Sequence, residues 1–217
     1  MKRTFTISEV FRTSWKATKS QLAILAGLVI GMFIISLLIS LVLMPMNSSS
    51  SIGQFISSLL SMIIGIVFSL GYIRNIFQAL DGMEPQFSAY SQEARKILTY
   101  FFSSLIVGVL VTLGTCVFIL PGIYLAIRLQ FFLAFIVDED AGIIDSIKRS
   151  WEITKGAEVQ LLLLALLMIG IMALGTILFV IGIFIAIPLV YMMHCYSYRK
   201  LNPNYSINEN DEQTIQD

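Results

Sequence analysis

The sequence predicts an all-α integral membrane protein: six transmembrane helices in three hairpins, each preceded by a short amphipathic interfacial helix. Three observations point there. Of 217 residues, 57% are hydrophobic and only 13% charged, against about 25% charged in an ordinary soluble domain. The apolar residues gather in long charge-free runs, 23 residues from Leu22 to Met44 and 40 from Val159 to Tyr198. The basic residues, in turn, fall in a few clusters spaced one hairpin apart. A hydrocarbon core about 30 Å thick needs about 20 apolar helical residues, and each run supplies them.

The elements follow in order. Residues 1–21 are polar, too long for a signal-peptide lead, and no small-residue cleavage site follows the first apolar run. Span 1, about 22–44, is therefore expected to be retained, ending at Pro45 and the polar run Asn47 to Ser51. Span 2 covers about 52–73 and is expected to stop at Arg74 and Asn75. Residues 97–137 are 41 long with one charge, Arg128; one helix of that length would be about 60 Å, twice the core. Pro121 and Gly122 are expected to form the hairpin turn, giving spans 98–119 and 122–137. The last run divides near Gly182 into spans 159–180 and 183–198, and 202–217 reads as a disordered polar tail. Residues 1–201 form one domain.

Charge placement tests that count. Apart from Arg128, the basic residues lie at 2–19, 74, 95–96, 148–155 and 199–200, all on one side of a six-span arrangement. The opposite turns, near 45–51, 119–122 and 180–183, carry no charge. The excess of Lys and Arg then places both termini in the cytoplasm, in a bacterial inner membrane. A net charge of zero gives no reason to expect nucleic acid.

There is an internal repeat. Residues 14–19 read SWKATK and 150–155 read SWEITK, an offset of 136. Before each, apolar residues share a helical face: Ile7, Val10, Phe11, Trp15 and Thr18 in one, Ile144, Ile147, Trp151 and Thr154 in the other. The hairpins echo as well, LGTCVFILPGIYLAI (113–127) against LGTILFVIGIFIAI (174–187) with one gap at Pro121. Trp15, Lys19, Trp151 and Lys155 are the expected interfacial anchors; a docking face for a cytoplasmic partner is the sharper alternative. Small residues also recur every fourth position, as in Ser57, Ser61, Gly65 and Ser69, a spacing that lets helices approach closely.

The stretch 121–156 resembles a known family. Pro121-Gly122-Ile123-Tyr124, then Arg128, Val137-Asp138-Glu139, Lys148-Arg149-Ser150-Trp151 and Thr154-Lys155-Gly156 look like bacterial six-span proteins related to the glycerophosphoryl diester phosphodiesterase membrane domain. The resemblance implies an integral membrane fold. It implies no catalysis, because some relatives fuse this domain to a catalytic one and the spans here consume the chain.

Arg128 is the most informative position. A charge at its depth costs at least about 2.5 kcal/mol on insertion scales, and no acid lies inside a span to pair with it. It reads either as a contact for an anionic lipid or solute, or as a snorkelling arginine that holds its hairpin. Asp138, Glu139 and Asp140 form a cytoplasmic acidic cluster, read as a solvated helix N-terminus ahead of a cation site. Adjacent His194 and Cys195 cannot both face one ion, and no nucleophile stands beside a base, so no metal, cofactor or catalytic residue is expected. Cys116 and Cys195 read as buried free thiols. The expected function is therefore non-enzymatic: binding membrane lipid or supporting a membrane complex, with a homo-oligomer or a membrane protein as partner. The alternative is a small transporter or channel for an anionic solute or lipid using Arg128.

Overall fold

The computed structural model describes residues 5–205, and these are all-helical, with no strand among them. Helix α1 is Ile7–Ser20, α2 Leu22–Ser49, α3 Ser51–Leu80, α4 Ser88–Glu93, α5 Ile97–Val117, α6 Ile119–Leu129, α7 Phe132–Glu139, α8 Ile143–Ile153, α9 Glu158–Ile177 and α10 Phe179–Leu201. A 3-10 turn, Ala94–Lys96, joins α4 to α5. Five stretches are long and apolar enough to cross a membrane: Leu22–Pro45, Ser51–Leu80, Ser88–Val117, Ile119–Glu139 and Glu158–Ile177. The position expected for a sixth crossing is held by α10, whose C-terminal half turns polar through His194, Ser197, Arg199 and Lys200.

Local chemistry explains the boundaries. Thr6 caps α1, its hydroxyl oxygen accepting from the Glu9 backbone N–H while Glu9 lies three residues on, a capping-box arrangement. Ser50 stands in extended backbone between α2 and α3 and caps α3 by accepting from the Gly53 N–H at 3.1 Å. The first candidate crossing ends at Pro45, as expected, while the helix itself continues to Ser49; a proline there removes one intrahelical hydrogen bond and crowds the carbonyl four residues back. Arg74 and Asn75, expected to end the second span, also lie inside a helix, α3. Asn75 Oδ1 accepts from the Gln86 N–H at 2.8 Å, and Arg74 Nε lies 3.9 Å from Glu93, a charge contact beyond hydrogen-bond distance.

The α5–α6 reversal corrects the expected turn. It falls at Phe118, in extended backbone, so Pro121 and Gly122 occupy the first turn of α6, where proline is tolerated because that N–H has no helical partner anyway. Gly122 serves close packing. A Cβ there would sit 2.0 Å from Thr115 Oγ1 and 2.8 Å from Thr115 Cα. The α9–α10 reversal at Leu178 has the same character, with Gly182 pressed on Gly175. Gly122→Ala is therefore expected to force α5 and α6 apart and cost about 1–3 kcal/mol, read as a lowered thermal unfolding midpoint in detergent. Gly108→Ala on α5, where a Cβ meets nothing within 4 Å, should hold or slightly raise the midpoint; an equal loss at both positions would refute the packing account.

Burial is uneven along the helices. The core sits at the charged end, where α3, α7 and α10 converge: the Tyr198 ring meets Phe77 at 5.7 Å, Phe131 at 6.0 Å and Phe135 at 4.9 Å. Toward the other end apolar side chains face outward, among them Phe33, Val42, Leu120 and Ile169. So much contiguous exposed apolar surface is foreign to a soluble monomer and compatible with lipid. Gly65, expected in a contact seam, has no neighbour within Cβ reach, and neither do Gly27, Gly31 and Gly108. Cys195 is buried, whereas Cys116, expected to be buried, is exposed on the outer surface of α5.

The short helices pack on the long ones: α4 lies on α3, α8 on α5, α6 and α7, and α1 on α10. The α4 contact depends on Gly71, whose missing side chain leaves room for Tyr90, with a Cβ position 2.8 Å from the Tyr90 Cα.

Candidate functional site

The repeat places Trp15 and Trp151 on the apolar faces of their helices as interfacial anchors, with Val10 and Thr18 on the same face of α1 and Thr154 continuing that of α8. In the structure those faces divide. In α1 the buried residues are Val10, Ser14 and Thr18, while Phe11 and Trp15 are exposed. In α8 they are Ser146 and Ser150, continued by Thr154, with Ile144 and Trp151 toward the outside. The inward stripe is thus the small hydroxyl residues, and the aromatic rings border it. Lys19 and Lys155 are exposed at the last turns.

The α8 stripe has a specific task. The chain breaks between α6 and α7 at Gln130 and Phe131, which frees backbone groups in an otherwise apolar region. The Ser150 hydroxyl donates to the Arg128 carbonyl at 3.0 Å and accepts from the Phe131 N–H at 3.0 Å; the Thr154 hydroxyl donates to the same carbonyl at 3.1 Å. A break buried in protein is tolerated when its polar groups are satisfied in this way.

At that break the Arg128 side chain is 2% exposed. It lies nine residues beyond the start of α6, about 14 Å along the helix, hence deeper than a turn at Gly122 implied, and it reaches the junction of α8 and α9. Its Nη1 donates to Glu158 Oε1 at 2.8 Å, and its guanidinium stacks 4.2 Å from the Trp151 ring and 5.8 Å from Tyr124. Tyr124 in turn meets Trp151 edge-on at 5.9 Å. The neighbouring Gln130 donates to the Ile127 carbonyl at 3.0 Å. The other Glu158 oxygen accepts from the Gly156 N–H at 2.8 Å; Gly156 has φ +88°, a region that favours glycine. Sequence reasoning missed Glu158 because it immediately precedes the charge-free run that begins at Val159.

Beside this cluster an open groove of about 240 Å³ runs between α5, α6 and α8. Leu110, Leu125, Leu129 and Ile147 form its apolar floor, and Lys148, Trp151 and Glu152 its rim. Trp151 is thus shared: its ring lies against Arg128 and it also lines the groove.

The acidic cluster proves to be a hub of ion pairs, a correction to the solvated helix terminus expected. Asp138 lies 3.6 Å from Arg199; Glu139 pairs with Arg149 and accepts from the Tyr198 hydroxyl at 3.0 Å and from Asn202; Asp140 lies 2.6 Å from Lys96 and 3.0 Å from Arg95. The reason is placement, since α7 ends among α8, α10 and the 3-10 turn, each of which brings a cation. Lys96, itself buried, also donates to the Val137 carbonyl at 3.0 Å, closing the α7 terminus. Among the described residues no group of three His, Cys, Asp or Glu could hold a metal ion. Of the polar tail, Asn202 is buried against Glu139 and the Tyr205 hydroxyl donates to Asp81 at 2.9 Å; 206–217 lie outside the described residues.

The Lys96 ammonium, bonded to Asp140, holds that carboxyl below its ordinary 3.8, and Arg95 adds to the effect. A depressed folded value means the pair stabilises fully above the unfolded value and loses its contribution as pH falls through the folded one. Asp140→Asn should therefore lower the unfolding midpoint at pH 6, and the gap to wild type should close as the pH is taken below about 3.8. A gap that is constant with pH would contradict the pairing.

Residues 88–203, more than half of the chain, match the family described as a domain of unknown function (DUF7847). The matched region contains Arg128, Trp151, Glu158 and the whole groove. The chain is 27% identical over 158 residues to the uncharacterised protein Mb2590 of Mycobacterium bovis, covering 72% of this chain and 48% of that one. It is 26% identical over the same length to the uncharacterised protein Rv2560 of Mycobacterium tuberculosis. The chain thus spans about half the length of the curated relatives it matches. No solved structure is a significant match.

Proposed function

This chain belongs to the DUF7847 family, whose description assigns no activity, and from its own residues we propose that it is a non-enzymatic multi-pass protein of a bacterial cytoplasmic membrane that holds phospholipid around its charged end. The observation that carries this reading is the outward side of the short helices. On α1, Phe11 and Trp15 are exposed next to Arg12, Lys16 and Lys19; on and just after α8, Ile144 and Trp151 are exposed next to Lys148 and Lys155. Aromatic rings beside cations on a helix lying at the membrane boundary meet acyl chains with one group and lipid phosphate with the other.

The architecture in this reading is six crossings, α2 with α3, α5 with α6–α7, and α9 with α10, with both termini cytoplasmic. Each hairpin follows one short helix, and the packing of α4, α8 and α1 on α3, α5–α7 and α10 supports a threefold internal repeat. The resemblance to the glycerophosphoryl diester phosphodiesterase membrane domain rests on residues 121–156, which lie inside the family match. In the rival reading, an anion transporter, Arg128 would meet the anion; one of its nitrogens, Nη1, already donates to Glu158, which favours the lipid reading.

The test is lipid analysis of the full chain purified in mild detergent. Anionic phospholipid enriched over its share of the host membrane is expected, with the enrichment reduced in Lys16→Gln/Lys19→Gln/Lys155→Gln. Lipid retained only in bulk proportion, by wild type and variant alike, would remove the basis of the reading.

A further inference from the structure

We propose that the groove between α5, α6 and α8 is a binding site for one phospholipid with a primary-amine headgroup, of the phosphatidylethanolamine class. This rests on the membrane-embedded reading above and adds a defined position and a headgroup preference to it.

The shape argues for an acyl chain. At about 240 Å³ the groove lies below the roughly 300 Å³ at which pockets for compact ligands begin. It is open and lined largely by apolar side chains, Leu110 of α5, Leu125 and Leu129 of α6 and Ile147 of α8. An extended hydrocarbon segment suits such a trough; a polar solute would find nothing along the floor to bond.

The rim argues for the headgroup. Lys148 and Glu152 are both exposed and stand one turn apart on α8, about 6 Å of rise. Among the described residues neither side chain forms an ion pair, with the other or with any third group. A lone phosphate would satisfy Lys148 and be repelled by Glu152. A zwitterionic amine headgroup satisfies both, its phosphate toward Lys148 and its ammonium toward Glu152. Between them stands Trp151, whose ring lies against the Arg128 guanidinium at 4.2 Å and meets Tyr124 edge-on. That wall is therefore held in place before any lipid arrives, which lowers the cost of ordering it on binding. Arg128 thus acts as a positioning residue for the groove.

The experiment is native mass spectrometry of the full chain, delipidated in detergent and titrated with phosphatidylethanolamine or phosphatidylglycerol of matched acyl chains. Wild type should hold one phosphatidylethanolamine per chain, with about fivefold preference over phosphatidylglycerol, the size of one charge contact at a membrane surface. Glu152→Gln should abolish the preference, Lys148→Gln should weaken both lipids, and Leu125→Trp, which fills the trough, should remove the stoichiometric lipid. The two rim variants alter exposed side chains and should unfold like wild type, so they remain informative if Leu125→Trp fails to fold. Equal retention of the two lipids by wild type, or rim variants that match it, overturns the proposal. A chain that keeps enriched anionic lipid without a stoichiometric amine lipid sinks the groove alone, whereas one that enriches no lipid sinks the broader reading.

Discussion

Arg199→Ala should be the most damaging single substitution at the charged end, lowering stability by about 3–5 kcal/mol, the usual cost of leaving a buried charge partner uncompensated. The Arg199 side chain is 6% exposed. It grips both Asp81 oxygens, at 2.5 and 3.0 Å, and lies 3.6 Å from Asp138. Its guanidinium also stacks on Phe77 at 4.9 Å and Tyr205 at 4.2 Å. The residue therefore joins the C-terminal ends of α3, α7 and α10. Truncation leaves Asp81 and Asp138 facing each other with their shared cation gone. Arg199→Lys keeps the charge and loses the planar fork, so it should fall between alanine and wild type. Thermal unfolding in detergent checks the order; an alanine variant that melts with wild type would show that the hub contributes nothing.

The second large effect concerns Arg128 and Glu158. Glu158→Gln removes the carboxylate and leaves the guanidinium buried with only aromatic faces near it, and about 2–3 kcal/mol of destabilisation is expected, below the full buried-pair cost because Glu158 is itself 31% exposed. Adding Arg128→Met should recover most of that loss, since an apolar side chain of similar length needs no counter-charge. A double-mutant cycle measures the coupling. If the pair is independent, with the losses simply adding, Arg128 has a different partner and the ion pair is not what holds the α8–α9 junction. If Arg128→Met alone abolishes binding of an anionic solute while stability is unchanged, the transport reading regains its ground.

Much of the architecture was legible because its signals are local. Charge-free runs depend only on neighbours in sequence, so the long helices at Leu22, Ile97 and Glu158 follow directly. The SWxxTK match located α1 and α8 for the same reason. Their rotation was not legible. Hydropathy ranks Trp above Ser as a core residue, yet Ser150 and Thr154 turn inward because a helix break nineteen or more residues away offers them a carbonyl and an N–H. No periodicity in α8 encodes the location of that break. The turns were misplaced by a few residues because Pro121 and Gly122 carry the composition of a turn but serve proximity between helices.

The sequence by itself determined which segments are helical and apolar, where the cations gather, and that Arg128 is the unusual charge of its run. These properties are set by composition within a few turns of helix. Only the tertiary structure decided what the charges do. Arg128 meets Glu158, thirty residues on, and Arg199 meets Asp81, 118 residues back. Pairing at that separation is fixed by which helix ends converge, and convergence follows from packing at Gly71, Gly122 and Gly182, where the relevant fact is the absence of a side chain and the identity of the neighbour across the gap.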